Sequence, residues 1–413
     1  MTLLVHSPSD QSTHKQSKQT TVDPSTNGRA SKDQSRFVEQ KVEELRNVLA
    51  SHKGDRLLIV MQDFPDPDAL SSAWAFQLIA QEYEIHSDIV YAGMLSHQEN
   101  IALVRLTGLP VKRWSIQGMK EKDLTMYGGC VFVDNQGTTT QLFQRIKSNK
   151  LPVVSIIDHH SNQGNVEAEF KDLRPQIRAT ATILTQYLKA GLLQLDTSEA
   201  RHVKCATALM HGLRADTNNL LQAQDEDFQA AAYLSRFYDS QLLSAVLQAS
   251  RSKRVMDVIE RALHKRFIQN SFSIAGVGYL RSEDRDAIPQ AADFLVTEEN
   301  IHTAVVYGIV HDDDEDLEIV VGSLRTNKIT LDPDEFIKEA FGQDLQGRYF
   351  GGGRSGAGGF EIPMGFLYGF NENDDYAQAK WKVFDVQIKQ KLLHLIDPSA
   401  KLDHVGDINW KPE

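Results

Sequence analysis

The pattern of apolar and polar residues divides the chain into predicted strands and helices. Short continuous apolar runs predict buried strands at Leu57–Met61, Ser87–Ala92, Gly129–Val133 and Val153–Ile157. Apolar residues at helical spacing predict helices from Arg36 onward, over Ala69–Ala80 and over Thr139–Ser148. Continuous apolar strands that alternate with helices are typical of a parallel sheet covered on both faces. The first part of the chain is therefore predicted to be an α/β domain.

The second part of the chain shows a different pattern. Thr180 to about Lys265 is predicted to be mostly helical, a new strand-rich region begins at Ser271, and Asp374–Ile396 is predicted to be a closing helix. We predict a parallel-sheet α/β domain joined by a helical connector to a smaller α+β domain. The predicted boundaries are a disordered tail at 1–35, the α/β domain at 36–238, the connector at 239–269, the α+β domain at 270–372 and a C-terminal helix and tail at 373–413.

Composition limits the partners and the compartment. The 413 residues carry 44 Lys and Arg against 56 Asp and Glu, a net charge of −12. This balance argues against binding of long nucleic acid, which needs a basic face, but it permits a short anionic substrate. The two cysteines, Cys130 and Cys205, are too few for a thiolate zinc site or a disulfide framework, which favours a cytoplasmic location. No apolar run approaches the roughly 20 residues that span a bilayer, so no membrane partner is expected.

Acidic residues and histidines follow several of the predicted strands. They are Asp66 and Asp68, then Asp134, then Asp158, His159 and His160, and finally Asp216 after a later apolar stretch. A single carboxylate in such a place is more often a helix cap than a ligand. Parallel strands, however, bring their carboxyl ends to one rim, where several like charges are costly unless cations neutralise them. Carboxylates with imidazoles suit Mn²⁺ or Mg²⁺, and two such ions that share a carboxylate fit phosphoester hydrolysis.

These residues carry a resemblance to a known family. In order and spacing, Pro65-Asp66-Pro67-Asp68-Ala69, Val133-Asp134, Asp158-His159-His160 and Ala215-Asp216-Thr217 resemble the four motifs of the DHH phosphoesterases. Ser323-Leu324-Arg325 and the glycine-rich segment 351–359 resemble the nucleotide-binding signature of the DHH-associated C-terminal domain. The resemblance covers about Arg56 to Phe370, and within the family it points to nanoRNA hydrolases and 3′-phosphoadenosine 5′-phosphate (pAp) phosphatases.

The resemblance implies a role for each matching residue. One manganese ion would be held by Asp66 and Asp134, and a second by Asp68, Asp134, His159 and Asp216. Asp158 would orient a ligand, and His160 would lie near the substrate phosphate. The nucleotide would be held from the C-terminal domain by Arg325, Gly351, Gly352, Gly353 and Arg354.

Two positions depart from the family pattern. Gln62 stands where the family usually has a histidine ligand of the first metal, and an amide oxygen binds manganese more weakly than imidazole does. The first metal is then weakly held, replaced by magnesium or absent. Arg354 stands where the glycine motif usually ends in histidine, which adds a fixed positive charge. The alternative is that both are neutral variations in an active enzyme.

The expected function is that of a metal-dependent phosphoesterase. The expected substrates are small nucleotides, namely short oligoribonucleotides, linear dinucleotides such as pApA, or pAp, hydrolysed by metal-activated water. One alternative is a nucleotide-binding regulatory protein whose catalysis is weakened by Gln62. A second alternative is a cyclic-dinucleotide phosphodiesterase. The sequence leaves open whether the chain forms a homodimer.

Overall fold

The computed structural model describes residues 24–95, 97–114, 123–164, 166–312, 317–354, 356–367 and 374–399. The described residues form two domains, each built around one six-stranded sheet. The first domain contains α1 (Pro24–Ser51), β1 (Arg56–Val60), α2 (Pro67–Glu82), β2 (His86–Tyr91), α3 (Gln98–Thr107), β3 (Val111–Arg113), β4 (Gly129–Val133), α4 (Leu142–Ser148), β5 (Val153–Asp158), β6 (Phe170–Leu173), α5 (Thr180–Lys189), α6 (Ala200–Asp216), α7 (Asp225–Leu234) and α8 (Ser240–Leu247). The second contains α9 (Lys253–Lys265), β7 (Phe267–Gln269), β8 (Phe272–Arg281), α10 (Ala287–Leu295), β9 (Thr303–Asp312), β10 (Leu317–Thr326), α11 (Pro333–Phe341), β11 (Gly351–Arg354), β12 (Ala357–Pro363) and α12 (Asp374–Ile396).

The first sheet is parallel throughout, as the apolar strands predict. Its strand order is β3-β2-β1-β4-β5-β6, and every neighbouring pair runs parallel. The strands are apolar on both faces because both faces are buried. Leu57 and Ile59 of β1 pack with α2, α5 and α6, whereas Leu58 and Val60 pack with α4 on the opposite face. The predicted α/β class is therefore confirmed.

The direction of winding reverses beside β1, which lies between β2 and β4. In open α/β sheets, ligands bind in the crevice beyond the carboxyl ends of the strands at such a reversal. The buried Asn135 side chain joins the ends of β1 and β4 at this reversal. Its Nδ2 donates to the Val60 carbonyl at 3.0 Å and to the Val133 carbonyl at 3.1 Å. The fold thus creates a crevice directly after β1 and β4.

The second sheet is mixed. Its order is β11-β12-β10-β9-β8-β7, in which β8 and β9 run parallel and the other neighbours antiparallel. Helices α9 and α10 cover one face, and α11 and α12 cover the other. This arrangement confirms the predicted α+β class of the second domain.

Several elements cross the predicted boundaries. Helix α1 begins at Pro24, inside the segment that we interpreted as a disordered tail. A proline suits the first position of a helix, and the following residues contain no second proline before Ser51 to end it. Strand β7 pairs with β8, and α9 and α12 bury apolar side chains in the second domain. The prediction assigned β7 and α9 to the connector and α12 to a separate C-terminal helix and tail. Amphipathic periodicity predicts that a helix packs, but not which sheet it packs against.

Both cysteines lie in the core of the first domain. Cys130 and Cys205 are buried and form no disulfide with each other. Burial raises the pKa of the Cys130 thiol to about 12, which makes it a poor nucleophile. None of the helices in the described ranges is both long enough and apolar enough to cross a membrane.

Candidate metal centre

The two aspartates after β1 have different roles. Asp66 is the N-cap of α2, and its Oδ1 accepts a hydrogen bond from the Ala69 N–H at 2.9 Å. Asp68 lies fully buried in the first turn of α2 and anchors another helix. It accepts from the N–H groups of Thr180 at 2.6 Å and of Ala181 at 2.7 Å, at the N-terminus of α5. A carboxylate is favourable at this end of a helix because of the helix dipole.

Asp134 directly follows β4 and adopts a left-handed backbone conformation with φ of 57°. Such a conformation is uncommon for a residue other than glycine and often marks a functional position. The Thr180 hydroxyl donates to Asp134 Oδ1 at 2.9 Å, which fixes the carboxylate. The other oxygen, Oδ2, is buried and has no hydrogen-bond partner in the described structure. Asp134 therefore holds one oxygen ready for a ligand.

Asp158 is the last residue of β5, and the two histidines that follow it have different roles. Asp158 Oδ1 lies 2.7 Å from His160 Nδ1, and Oδ2 accepts from Gln136 Nε2 at 2.8 Å. Burial alone raises the pKa of Asp158, but the hydrogen bonds from His160 and Gln136 outweigh burial and lower it. Asp158 thus holds in place His160, which is one of the residues that could hold a metal ion.

His159 brings the acidic residues together. Its Nε2 lies 3.2 Å from Asp216 Oδ2, 3.6 Å from Asp134 Oδ1 and 4.0 Å from Asp68 Oδ2. This nitrogen is buried and makes no hydrogen bond of acceptable geometry with the described residues. Two groups of ligand atoms lie within 4.8 Å of one another: Asp68, His159 and Asp216, and Asp134, His159 and His160. The structure thus brings Asp68, Asp134 and Asp216 together with the two histidines, whereas Asp66 and Asp158 belong to neither group.

Asp216 is the last residue of α6. A negative charge at the C-terminus of a helix is unfavourable, because the helix dipole places partial negative charge there. The Asp216 carboxylate therefore lowers the stability of α6, and a bound cation would offset this effect.

The pKa values of this cluster show the cost of its unneutralised charge. Burial and the charge of Asp216 raise the pKa of Asp68 to about 8, and burial with the charges of Asp68 and Asp66 raises that of Asp134 well above its usual range. Burial alone lowers the pKa of His159, but the nearby Asp216 and Asp68 outweigh burial and raise it to about 9. A divalent cation would remove this cost. Three carboxylates, one imidazole and two unpartnered buried atoms fit Mn²⁺ or Mg²⁺.

The residues expected around the first metal are less well assembled. Asp66 belongs to neither of the two ligand groups found in the described residues. Asp63 offers no replacement, because it accepts from the Thr140 hydroxyl at 2.9 Å and from the Gln141 N–H at 3.1 Å, before α4. The best-formed site is therefore the one made by Asp68, Asp134, His159 and Asp216.

A cleft of about 840 Å³ separates this cluster from the second domain. Its lining includes His159, His160 and Asp216 on one side and, among others, the basic residues Arg178, Arg325, Lys328 and Arg354. Arg325 donates from Nε to Asp293 Oδ1 at 2.6 Å. The Arg354 charge lowers the pKa of Asp66, although burial and Asp216 raise that pKa overall. The predicted substrate-binding arginines thus face the predicted metal ligands.

The glycine segment differs from the loop that we expected to cradle an anion. Gly351, Gly352 and Gly353 form β11 with Arg354, paired with β12, and the Gly353 N–H donates to Asp334 Oδ1 at 3.0 Å. Their lack of side chains serves close packing, since a Cβ on Gly353 would lie 2.8 Å from Pro333 Cβ. Of this motif, Arg354 at the end of the strand is the residue with a charged side chain in the cleft.

Sequence reasoning missed some contributors to the site. Thr180 marks the start of the predicted helical region, and its hydroxyl donates to Asp134 Oδ1. Gln136, which holds Asp158, gave no signal apart from its position two residues after Asp134. Arg214, two residues before Asp216, donates to Asn219 Oδ1 at 2.7 Å.

We expect the stabilisation by Mn²⁺ to increase with pH. Without metal, the raised pKa of Asp68, about 8, makes its ionisation destabilising as the pH rises. His159, with a pKa of about 9, stabilises the fold below its unfolded pKa, and this contribution is lost as the pH rises through about 9. Protons therefore compete with the metal. The gain in Tm on adding Mn²⁺ should grow between about pH 6 and 8, and a gain that does not change with pH would contradict the assigned ligands.

Comparisons with known proteins agree with the fold and the motifs. The chain is 34% identical, over 342 residues and 82% of its length, to uncharacterized protein MJ1633 of Methanocaldococcus jannaschii, and spans 64% of that protein. An exopolyphosphatase-related protein from Bacteroides fragilis has a similar fold, with a TM-score of 0.60 at 14% identity, covering 85% of this chain and 98% of that chain. Residues 56–213 match the DHH family, N-terminal domain. The part of the chain that is similar to the DHH family, N-terminal domain, therefore lies in the first domain.

Proposed function

We propose that this protein is a divalent-metal-dependent phosphoesterase that hydrolyses small nucleotides in the cleft between its domains. The observation that carries the proposal is the convergence of Asp68, Asp134 and Asp216 on His159 Nε2. The same cleft is lined by a basic wall, which we define as Arg178, Arg325, Lys328 and Arg354. A cation held there would supply Lewis-acid stabilisation of phosphoryl charge and activation of water. Manganese is the proposed ion because imidazole suits it better than magnesium.

The surrounding residues would prepare the site before substrate arrives. The N–H groups at the start of α5 hold Asp68, and the Thr180 hydroxyl holds Asp134, so neither carboxylate has to reorganise. Preorganised groups of this kind lower the cost of stabilising charge in the transition state. The strained backbone of Asp134 is consistent with a position kept for function rather than for stability.

His160 is the proposed residue for proton transfer or hydrogen bonding at the substrate. Its side chain is 34% exposed and lines the cleft, and its Nδ1 is engaged by Asp158. The other ring nitrogen is therefore the one available to a phosphate oxygen or to the leaving group. The Asp158 carboxylate, ionised at neutral pH, would stabilise a protonated His160.

The basic wall supports a substrate with more than one phosphate or a phosphate carried on a nucleoside. Arg325, Lys328 and Arg354 come from the second domain, and Arg178 from the first. They form a local basic patch in a chain whose net charge is −12. A small anionic ligand can use such a patch, whereas a long nucleic acid would meet the acidic remainder of the surface.

A nucleotide-binding regulator is the second candidate, and one observation favours it. Gln62 stands where the family that the chain resembles usually has a histidine, and Asp66 lies outside the two groups of carboxylate and imidazole ligand atoms found in the described residues. A protein with only one well-formed metal position could bind nucleotide and turn it over slowly or not at all.

A substrate panel separates the two candidates. The full chain is incubated with Mn²⁺ and, in turn, pAp, pApA, short oligoribonucleotides, a cyclic dinucleotide and a long single-stranded RNA. We expect chelator-sensitive product from at least one of the small linear nucleotides. Tight binding without product would favour the regulator. Neither binding nor product with any small nucleotide would overturn both, and preferred cleavage of the cyclic compound would move the substrate assignment.

A further inference from the structure

The loop 217–224 joins α6 to α7 and begins directly after Asp216, one of the proposed metal ligands. Two amide side chains of this loop, those of Asn218 and Gln222, line the cleft of about 840 Å³ that also contains His159 and His160. The proposed metal centre does not use these two amides, so the hydrolysis of a phosphoester does not by itself give them a role.

The backbone of this loop has an uncommon conformation. Asn218, Asn219 and Leu220 are all left-handed, with φ of 49°, 56° and 70°. Residues other than glycine rarely adopt this conformation, although asparagine tolerates it better than leucine does. Unfavourable backbone of this kind clusters at functional sites, where the surrounding structure holds it in place.

Hydrogen bonds hold the left-handed turn. The buried Thr217 hydroxyl donates to the Leu213 carbonyl at 2.6 Å and accepts from the Leu220 N–H at 3.1 Å. The Gln222 N–H donates to the Thr217 carbonyl at 2.9 Å. The backbone on both sides of Asn218 is therefore fixed relative to the end of α6.

The two asparagines of the turn differ in what their side chains contact. The Asn219 amide oxygen accepts a hydrogen bond from Arg214 Nη2 at 2.7 Å, and Asn219 does not line the cleft. The Asn218 amide lines the cleft and forms no hydrogen bond with any residue that the structure describes. Both its donor and its acceptor are therefore available to a ligand.

The charged groups of the cleft do not offer this combination. The side chains of the basic wall only donate hydrogen bonds, which suits a phosphate, and an ionised carboxylate such as that of Asp216 only accepts them. A sugar hydroxyl both donates and accepts, and a primary amide can satisfy both functions. The 2′-hydroxyl is the group by which a protein distinguishes ribonucleotides from deoxyribonucleotides.

Two other amide side chains line the cleft. Gln222 lies six residues after Asp216, and Asn327 lies on the wall formed by the second domain. Asn218 lies only two residues after Asp216, so the Cα atoms of these two residues are within about 7.6 Å of each other. Because the sugar of a nucleotide adjoins its phosphate, Asn218 is the amide placed to reach the sugar when the phosphate lies beside Asp216.

We propose that Asn218 forms a hydrogen bond with the ribose 2′-hydroxyl of the nucleotide whose phosphate lies at the metal centre. Asn218 is then a specificity-determining residue that favours ribonucleotides over deoxyribonucleotides. The inference rests on the proposed function in taking the ligand to be a nucleotide with its phosphate beside Asp216. It adds a choice between two classes of small nucleotide to that function.

Two nucleotides that differ by one hydroxyl test this assignment without requiring hydrolysis. Isothermal titration calorimetry of the full chain with Mn²⁺ would compare adenosine 5′-monophosphate with 2′-deoxyadenosine 5′-monophosphate. We expect the native chain to bind the ribonucleotide about tenfold more tightly. Asn218→Gly should remove this preference without lowering the Tm, because glycine readily adopts the left-handed conformation of this position.

Asn219→Gly is the matched control for the backbone. It makes the same change in the same left-handed turn, but at a side chain that does not line the cleft. This variant should keep the tenfold preference for the ribonucleotide. Gln222→Ala should also keep it, because the proposal assigns the hydroxyl to Asn218 and not to the second amide of the loop.

Several outcomes would overturn the proposal. Equal affinity of the native chain for the two nucleotides would do so, as would no detectable binding of either. A preference that survives in Asn218→Gly, or one that is lost equally in Asn219→Gly or in Gln222→Ala, would also refute the role of Asn218.

Hydrolysis of pApA, measured on the same samples, separates this inference from the proposed function. A preference for ribose that depends on Asn218, without turnover, refutes only hydrolysis. Turnover without such a preference refutes only the role of Asn218.

Discussion

Replacement of Asp134 by asparagine is expected to reduce Mn²⁺-dependent hydrolysis on the order of a thousandfold or more. Asp134 offers one oxygen held by the Thr180 hydroxyl and one buried oxygen with no hydrogen-bond partner among the described residues, both within the cluster around His159. An amide keeps the shape but removes the charge that binds the cation. The measurement is steady-state turnover of the best substrate from the panel, together with Mn²⁺ binding by calorimetry.

The same variant should be more stable than the native chain when no metal is present. Burial and the charges of Asp68 and Asp66 raise the pKa of Asp134 well above its usual range, so the ionised carboxylate opposes folding at neutral pH. Asparagine also tolerates the left-handed backbone of this position. Asp257→Asn, at an exposed position on α9, is the matched control and should change neither quantity. Native turnover in Asp134→Asn would refute the metal assignment.

Replacement of Gln62 by histidine is expected to increase the number of tightly bound Mn²⁺ ions from one to two. One ligand group contains Asp68, His159 and Asp216, whereas Asp66 belongs to neither ligand group in the described residues. An imidazole at position 62 would supply the nitrogen ligand that the amide lacks. Turnover should rise with the second ion, since two metals stabilise both the attacking and the leaving oxygen.

The stoichiometry is measured by metal analysis after gel filtration at a fixed free Mn²⁺ concentration. Gln62→Ala is the control, and it should bind one ion as the native chain does. If the native chain already retains two ions and Gln62→His changes neither their number nor the turnover, then Gln62 is a neutral variation. That result would remove the main argument for a regulatory protein.

The rim of carboxylates was predictable because parallel topology and motif spacing act together. Asp68, Asp134 and His159 each follow a strand of the first sheet. Because these strands are parallel, their carboxyl ends lie at one edge of the sheet and the three residues lie near one another. The roles of single residues were harder to predict. Asp66 caps a helix and Asp158 binds His160, and both contacts depend on hydrogen bonds that the spacing does not determine.

The second domain shows where sequence patterns reach their limit. Helix α9 was predicted as part of a connector, but Val255, Val258 and Ile259 are buried in the core of the second sheet. The glycine segment was expected to form a loop, because glycine is unfavourable in strands. It forms strands instead, and the close approach of α11 leaves no room for side chains at Gly353 and Gly358. Both outcomes depend on tertiary contacts distant in sequence.

The central claim is that Asp68, Asp134, His159 and Asp216 hold a divalent cation at the crevice beside β1. The most direct test is a crystal structure of the full chain grown with Mn²⁺, with anomalous diffraction data collected at the manganese absorption edge. We expect a strong anomalous peak in direct contact with these four side chains, and a weaker peak or none beside Gln62 and Asp66. An anomalous map with no peak at the four side chains, in crystals that bind Mn²⁺ elsewhere, would contradict it.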